Sequence, residues 1–224
     1  MESAVQTSGS YKLQNDIALT SVLTVPEDVT VNLDLGGHKL EASGSVQVPG
    51  KLPYEDFSTY GLIVVEGTLT LTSGTLNAEN TNELRGVYVG SSGNFTLGMG
   101  ATIQGGKLTE HNHGGGGVKN TGTFTLAGGT IKDSSADIGG GVSNSGTFTM
   151  LEGTIENCNA QFSGTGNGGG VYNEGTFEMR GASLKTARLR KEPAAVCTMP
   201  KTLPCREASL KPAMRLMAAV YSII

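Results

Sequence analysis

Few residues in this chain combine types and spacing that could do chemistry. In "EHNHGGGG", Glu110 to Gly117, the imidazoles of His111 and His113 stand beside the Glu110 carboxylate, and a divalent transition metal takes such donors. No third ligand follows at a defined spacing, so the group reads as solvated turn residues, and neither a metal nor another cofactor is expected. His38, in "LDLGGHKL", reads as a structural hydrogen-bonding residue and not as a catalytic base. Cys158, Cys197 and Cys205 have no spacing of a metal site or a disulfide framework, and Cys158 reads as a free, inward thiol. The "GGGV" turns imitate phosphate cradles but lack the following helix and the Lys-Ser/Thr pair.

Saccharide cleavage would need several carboxylates, or a Lys or Arg base, aligned on one outer face. Lys132, Glu156 and Glu178 are the charged outward candidates, and like charges do not recur at one place. Asp16, Asp28, Asp34, Asp133 and Asp137 read as turn residues and caps. No catalytic residue is assigned. The pairs Thr68 and Thr70, Thr123 and Thr125, and Thr147 and Thr149 could rank on one flat face, which resembles that of β-helical ice-binding proteins. Thr is, however, a favoured outward strand residue in any sheet, and Asn94 and Glu178 interrupt the ranks.

The elements that carry these residues are repeats. "GVYVGSSGNFTLGMGATI" from Gly86, "GGGVKNTGTFTLAGGTI" from Gly115, "GGGVSNSGTFTMLEGTI" from Gly139 and "GGGVYNEGTFEMRGAS" from Gly168 share one pattern. Val87, Val118, Val142 and Val171 lead Phe95, Phe124, Phe148 and Phe177, and Ile103, Ile131 and Ile155 follow. "GLIVVEGTLTLTSGTL" from Gly61 is a degenerate copy with Leu69 and Leu71 in the Phe and Leu places, and "LTVPEDVTVNLDLGGHKL" from Leu23 alternates alike. Units of about 24–31 residues lie in the range of solenoids.

Within "GTFTL" the period is two, so Phe124 and Leu126 share one face and Thr123 and Thr125 the other. Short strands near Val118, Phe124 and Ile131, separated by Gly- and Asn-rich turns, make one coil of an all-β, right-handed parallel β-helix solenoid. Stacked coils place like on like, so the valines and phenylalanines should form inward ladders. Asn120, Asn144 and Asn173, each two residues after its valine, should form an amide ladder. Gly122, Gly146 and Gly175 recur in one turn, where a positive φ is expected.

The solenoid accounts for residues 23–183, after a lead-in or cap over 1–22. The 34 glycines all lie at or before Gly181, whereas Pro193, Pro200, Pro204 and Pro212 lie beyond it. Residues 184–224 hold eight Lys or Arg against Glu192 and Glu207, a balance of +6 within a chain of −4, which leaves −10 on residues 1–183. The basic tail lacks the aromatic interleaving of a nucleic-acid site, and no nucleic-acid partner is expected.

A one-base frame change explains the break. If each shifted codon takes the last base of one tail codon and the first two of the next, the codons from Pro193 permit Gly-Gly-Gly-Val-Tyr-Asn-Ala. Those from Lys201 permit Asp-Phe-Thr-Met-Ser-Gly-Gly. At the junction Leu184, Lys185 and Thr186 permit Ile-Glu-Asn-Cys once one base is restored, echoing Ile155 to Cys158. The recovered valines begin in codons 196 and 220, and the recovered Phe in codon 202. Residues 184–224 therefore read as two further coils translated out of frame, poorly ordered as written. A solenoid ending on an uncapped coil is expected to aggregate through its open edge.

"VNLDLGGHKL" (Val31 to Leu40), "GGGVYN", "GTFTM" and "GGTI" resemble the phrases of right-handed parallel β-helix proteins of the pectin-lyase-like superfamily, of the kind found on the surface of gut Gram-positive bacteria. The superfamily holds lyases, hydrolases, phage tailspikes and adhesins on one scaffold, so the resemblance implies the fold more sharply than the function. It implies an extracellular or cell-wall location and a structural or adhesive role toward glycans or host surface proteins. A polysaccharide-active enzyme is the alternative and a structural spacer the third. "MESAVQTSGS" has no secretory signal and no run is long enough for a membrane span, so either the protein stays inside the cell or the chain is a piece of something longer, and the resemblance implies the second.

Overall fold

The computed structural model describes residues 6–47, 61–79, 84–109, 113–160 and 168–180, together with the strands Ser183–Lys185, Arg188–Leu189, Cys197–Met199 and Tyr221–Ile223. Their architecture is all-β, with every strand pairing parallel, and the coils stack as a β-solenoid. Among the described residues no helix is long and apolar enough to cross a membrane. Much of residues 184–224 lies outside the described residues, and the expectation of a poorly ordered tail lies there with it.

Each coil has three faces. The first runs through the valines in an eight-stranded sheet, where Leu23 pairs Ile63, Ile63 pairs Val87, and Val87, Val118, Val142 and Val171 follow in order. The second carries Val31, Leu69, Phe95, Phe124, Phe148 and Phe177 in register. The third carries Leu40, Leu76, Ile103, Ile131, Ile155 and Leu184 at matching positions. In the early coils the second and third faces are separate strands, such as Asn94–Gly98 and Ala101–Gln104. In Thr123–Lys132 and Thr147–Glu156 they fuse through a bulge, which merges both faces into one 12-stranded sheet. Gly128 (φ 110°) and Gly153 (φ 102°) hold that bulge in a left-handed backbone conformation that a side chain would strain. The lead-in already takes part, because Gly9–Lys12 and Ile17–Ser21 pair with Thr30–Asp34 and Lys39–Gln47.

The core is the stack of inward positions. Phe95, Phe124 and Phe148 are fully buried, and successive rings from Phe95 to Phe177 stack with centroids 5.2, 4.7 and 4.9 Å apart. That spacing is close to the strand separation of about 4.8 Å, so sheet geometry itself brings the rings into contact.

The glycine expectation is corrected. Gly122, Gly146 and Gly175 are absent from the positive-φ glycines, which include Gly115, Gly139 and Gly168 at the start of each "GGG". Close approach is what demands glycine in the other turn: a Cβ on Gly146 would lie 2.2 Å from the Gly122 carbonyl oxygen, and one on Gly175 would lie 2.1 Å from that of Gly146. The coils meet there with no space for a methyl group.

Candidate functional site

The amide ladder forms as the spacing predicts. Asn120, Asn144 and Asn173 are buried, and Asn120 Nδ2 donates to Asn144 Oδ1 at 2.6 Å, with Asn144 Nδ2 donating in turn to Asn173 Oδ1. The same Nδ2 atoms also donate to the backbone: Asn120 to Thr147 O at 2.9 Å, and Asn144 to Thr176 O at 3.0 Å. The rung before Asn120 is Val89, and Asn120 Oδ1 is buried without a hydrogen-bond partner among the described residues. This ladder is interior and structural. It offers nothing to a ligand.

Chemistry accessible from outside sits on the outer side of the 12-stranded sheet. Thr30, Thr68, Asn94, Thr123, Thr147 and Thr176 occupy one row, and Asn32, Thr70, Thr96, Thr125, Thr149 and Glu178 the next. On the third face Glu41, Asn77, Gln104, Lys132, Glu156 and Lys185 align, with Asn77 itself buried. Gln104 Nε2 donates to Asn77 Oδ1 at 3.4 Å. Lys132 and Glu156, separate residues in the sequence reading, are thus cross-strand neighbours of opposite charge.

Where the first coils meet, this face has a shallow, open groove of about 360 Å³ lined by Ser10, Tyr11, Lys12, Asn32, Asp34, Thr70 and Thr72. Three coils contribute, because Lys12 pairs with Asp34 and Asp34 with Thr72. Lys12 Nζ lies 3.2 Å from Asp34 Oδ2, while Asp34 Oδ1 accepts the Gly36 N–H at 2.7 Å. Behind the Gly36–Gly37 turn, Asp16 Oδ1 accepts the Lys39 N–H at 2.9 Å and lies 3.3 Å from His38 Nδ1. His38 is thereby a turn-fixing residue.

These contacts set a pH response. The Gly36 N–H, and after it Lys12, hold the Asp34 carboxyl below its ordinary value of 3.8; the Lys39 N–H does the same for Asp16, aided by His38. A depressed native value means that the stabilisation is complete above the ordinary value and is lost as pH falls through the lower one. Carboxyl carbon shifts in an NMR titration should therefore give Asp34 and Asp16 midpoints under 3.8, and midpoints at or above it would contradict the turn geometry.

Cys158 is buried and free; its thiol lies 3.3 Å from Glu156 O, and burial pushes its pKa up to about 12. In a chain with Cys197→Ser and Cys205→Ser, iodoacetamide at about pH 8 should leave Cys158 unmodified until denaturant is added, since the thiolate is the reactive form. Rapid alkylation of the folded chain would contradict its inward placement.

Glu110 and His111 lie outside the described residues, and among the described residues no three His, Cys, Asp or Glu side chains gather as metal donors. The groove was not foreseen from sequence; its one signal was the family-like "LDLGGHKL" phrase, which contributes Asp34 to the lining. The corner where Ser92 Oγ donates to Glu27 Oε1 at 3.0 Å, with Glu66 Oε2 at 3.4 Å, was also missed, because three coils supply it. Comparison with family models, with curated proteins and with solved structures finds no match to this chain.

Proposed function

We propose that the chain is part of a bacterial surface or secreted β-helix protein, pectin-lyase-like in kind, whose outer sheet face adheres to extracellular glycans. The observation that carries this reading is the groove: hydroxyl, amide, carboxylate and ammonium groups from three successive coils converge along one open strip. A sugar chain offers hydroxyls that both donate and accept, and the strip supplies both complements, Asn32 with Ser10 and Thr70 on one side and the Lys12–Asp34 pair on the other. The scaffold holds the backbone of these groups at strand spacing, so binding has to order side chains but not the chain that carries them. A structural role in extending the protein from the cell surface is compatible with the same solenoid.

The second reading, a polysaccharide-active enzyme, is favoured by Lys12 and Asp34 sharing the groove. A glycan array probed with the full chain, run beside an assay for release of unsaturated sugar ends, separates the two. Adhesion without turnover supports the proposal. Turnover with no adhesion would replace it with the enzyme, and silence in both assays would leave a spacer.

A further inference from the structure

The last fully described coil is built to be followed by another. Asn120, Asn144 and Asn173 each donate to a glycine carbonyl of their own turn, and Asn120 and Asn144 donate besides to an asparagine and to a threonine carbonyl of the next coil; among the described residues Asn173 Nδ2 has no such next-coil acceptor. Asn173 is nonetheless only 1% exposed. Phe124 and Phe148 have a ring stacked on each face, while among the described residues the ring stacked on Phe177 is Phe148 alone. Thr176–Met179 pairs with Thr147–Glu156, and its other edge has no partner strand among the described residues.

The backbone fixes where the next coil belongs. Val171 pairs Cys197, Tyr172 pairs Thr198, and Cys197 in turn pairs Tyr221. On the third face Ile155 pairs Leu184 and Glu156 pairs Lys185, and in a separate three-stranded sheet of Ser135–Ala136, Asn159–Ala160 and Arg188–Leu189, Ala160 pairs Leu189. As written, the residues at these places do not repeat the coil before. A shifted codon takes two of its three bases from the later residue, so the valine begun in codon 196 occupies place 197 once a base is restored. The shifted codons then permit Ile at 184, Glu at 185, Ala at 189, Val at 197 and Tyr at 198, the residue of the preceding coil at each paired place. Place 188, opposite Asn159, is a departure, since the bases of Arg188 do not permit Asn.

The same register puts Met199 in the ladder place, two after Cys197, and its strand partner is Ile223. The shifted codons permit an asparagine at both, and a phenylalanine at place 203, six after 197 as Phe177 is six after Val171. We propose that the coil of Val171 and Phe177 is the docking surface for a further coil of its own kind, the first of two encoded by codons 184–224 one base out of frame. In the restored chain the asparagine at place 199 would seat on Asn173, and the phenylalanine at place 203 on Phe177. This coil would give the buried Asn173 amide its next-coil acceptors and cover the second face of the Phe177 ring. It rests on the frame reading and is independent of what the outer face binds.

The test is to read the coding DNA across codons 183–224 and to express the full chain as written beside one with a single base restored after codon 183. The shifted frame should encode valine at places 197 and 221, asparagine at 199 and phenylalanine at 203. The restored chain should melt at least about 5 °C higher, because the added coil buries further core surface. Asn173→Ala should cost more in the restored chain than in the written one. A stop codon or unrelated residues at 197 and 199 in the shifted frame would overturn the proposal, as would a restored chain that melts no higher.

Discussion

Phe148→Ala is expected to lower the unfolding free energy by about 3–5 kcal/mol, the usual cost of deleting a fully buried phenylalanine. Phe148 is fully buried and stacks on Phe124 on one side and Phe177 on the other, so truncation removes two ring contacts besides the transfer term. Neighbouring coils cannot close the gap, because the Thr123–Lys132 and Thr147–Glu156 backbones are fixed at strand spacing. Phe148→Leu is the control. Leu69 already fills this place beside Phe95, so leucine, which leaves a smaller cavity, should cost clearly less than alanine. Urea denaturation followed by circular dichroism measures both. A loss below about 1 kcal/mol for alanine would mean that the stacked rings do not hold the coils together.

Asn144→Ala should cost about 3 kcal/mol or more, although it removes little apolar surface. The side chain accepts from Asn120 and donates toward Gly146 O, Asn173 Oδ1 and Thr176 O, all in the interior. Its removal strands buried groups on both adjacent coils, each worth about 1–3 kcal/mol when left unpaired. Asn144→Asp keeps the shape and turns the donor into an acceptor facing three other acceptors. It should be at least as damaging as alanine near neutral pH, and less so in acid where the buried carboxyl is protonated. If aspartate were harmless, the ladder would be filling space and its hydrogen bonds would be incidental.

These two ladders were legible because each has a separate physical requirement at a fixed offset: an apolar residue for the core, an amide two residues on, an aromatic six on. Alternation in "GTFTM" gave the facing of Phe148 and Met150 directly, and both are fully buried. Gly146 was legible as an obligatory glycine but not for its reason, since sequence does not distinguish a left-handed backbone from a neighbouring carbonyl that leaves no space for a Cβ. The fusion of the second and third faces in Thr123–Lys132 was hidden because a bulge and a turn are both written with glycine. The groove was hidden for a different reason. Ser10, Asn32 and Thr70 are ordinary outward residues in their own strands, and only the parallel register brings them side by side.

The central claim is that register turns such ordinary residues into a binding strip, and calorimetric titration tests it most directly. The full chain would be titrated with the polysaccharide that the array selects, beside Asn32→Ala/Thr70→Ala in the groove and Glu174→Ala in an exposed turn away from it. The expected result is a groove variant that melts as the parent does and binds at least about tenfold more weakly, a loss of about 1.4 kcal/mol, with the Glu174 variant unchanged. Equal affinity for all three proteins, or no binding by the parent, would contradict the account.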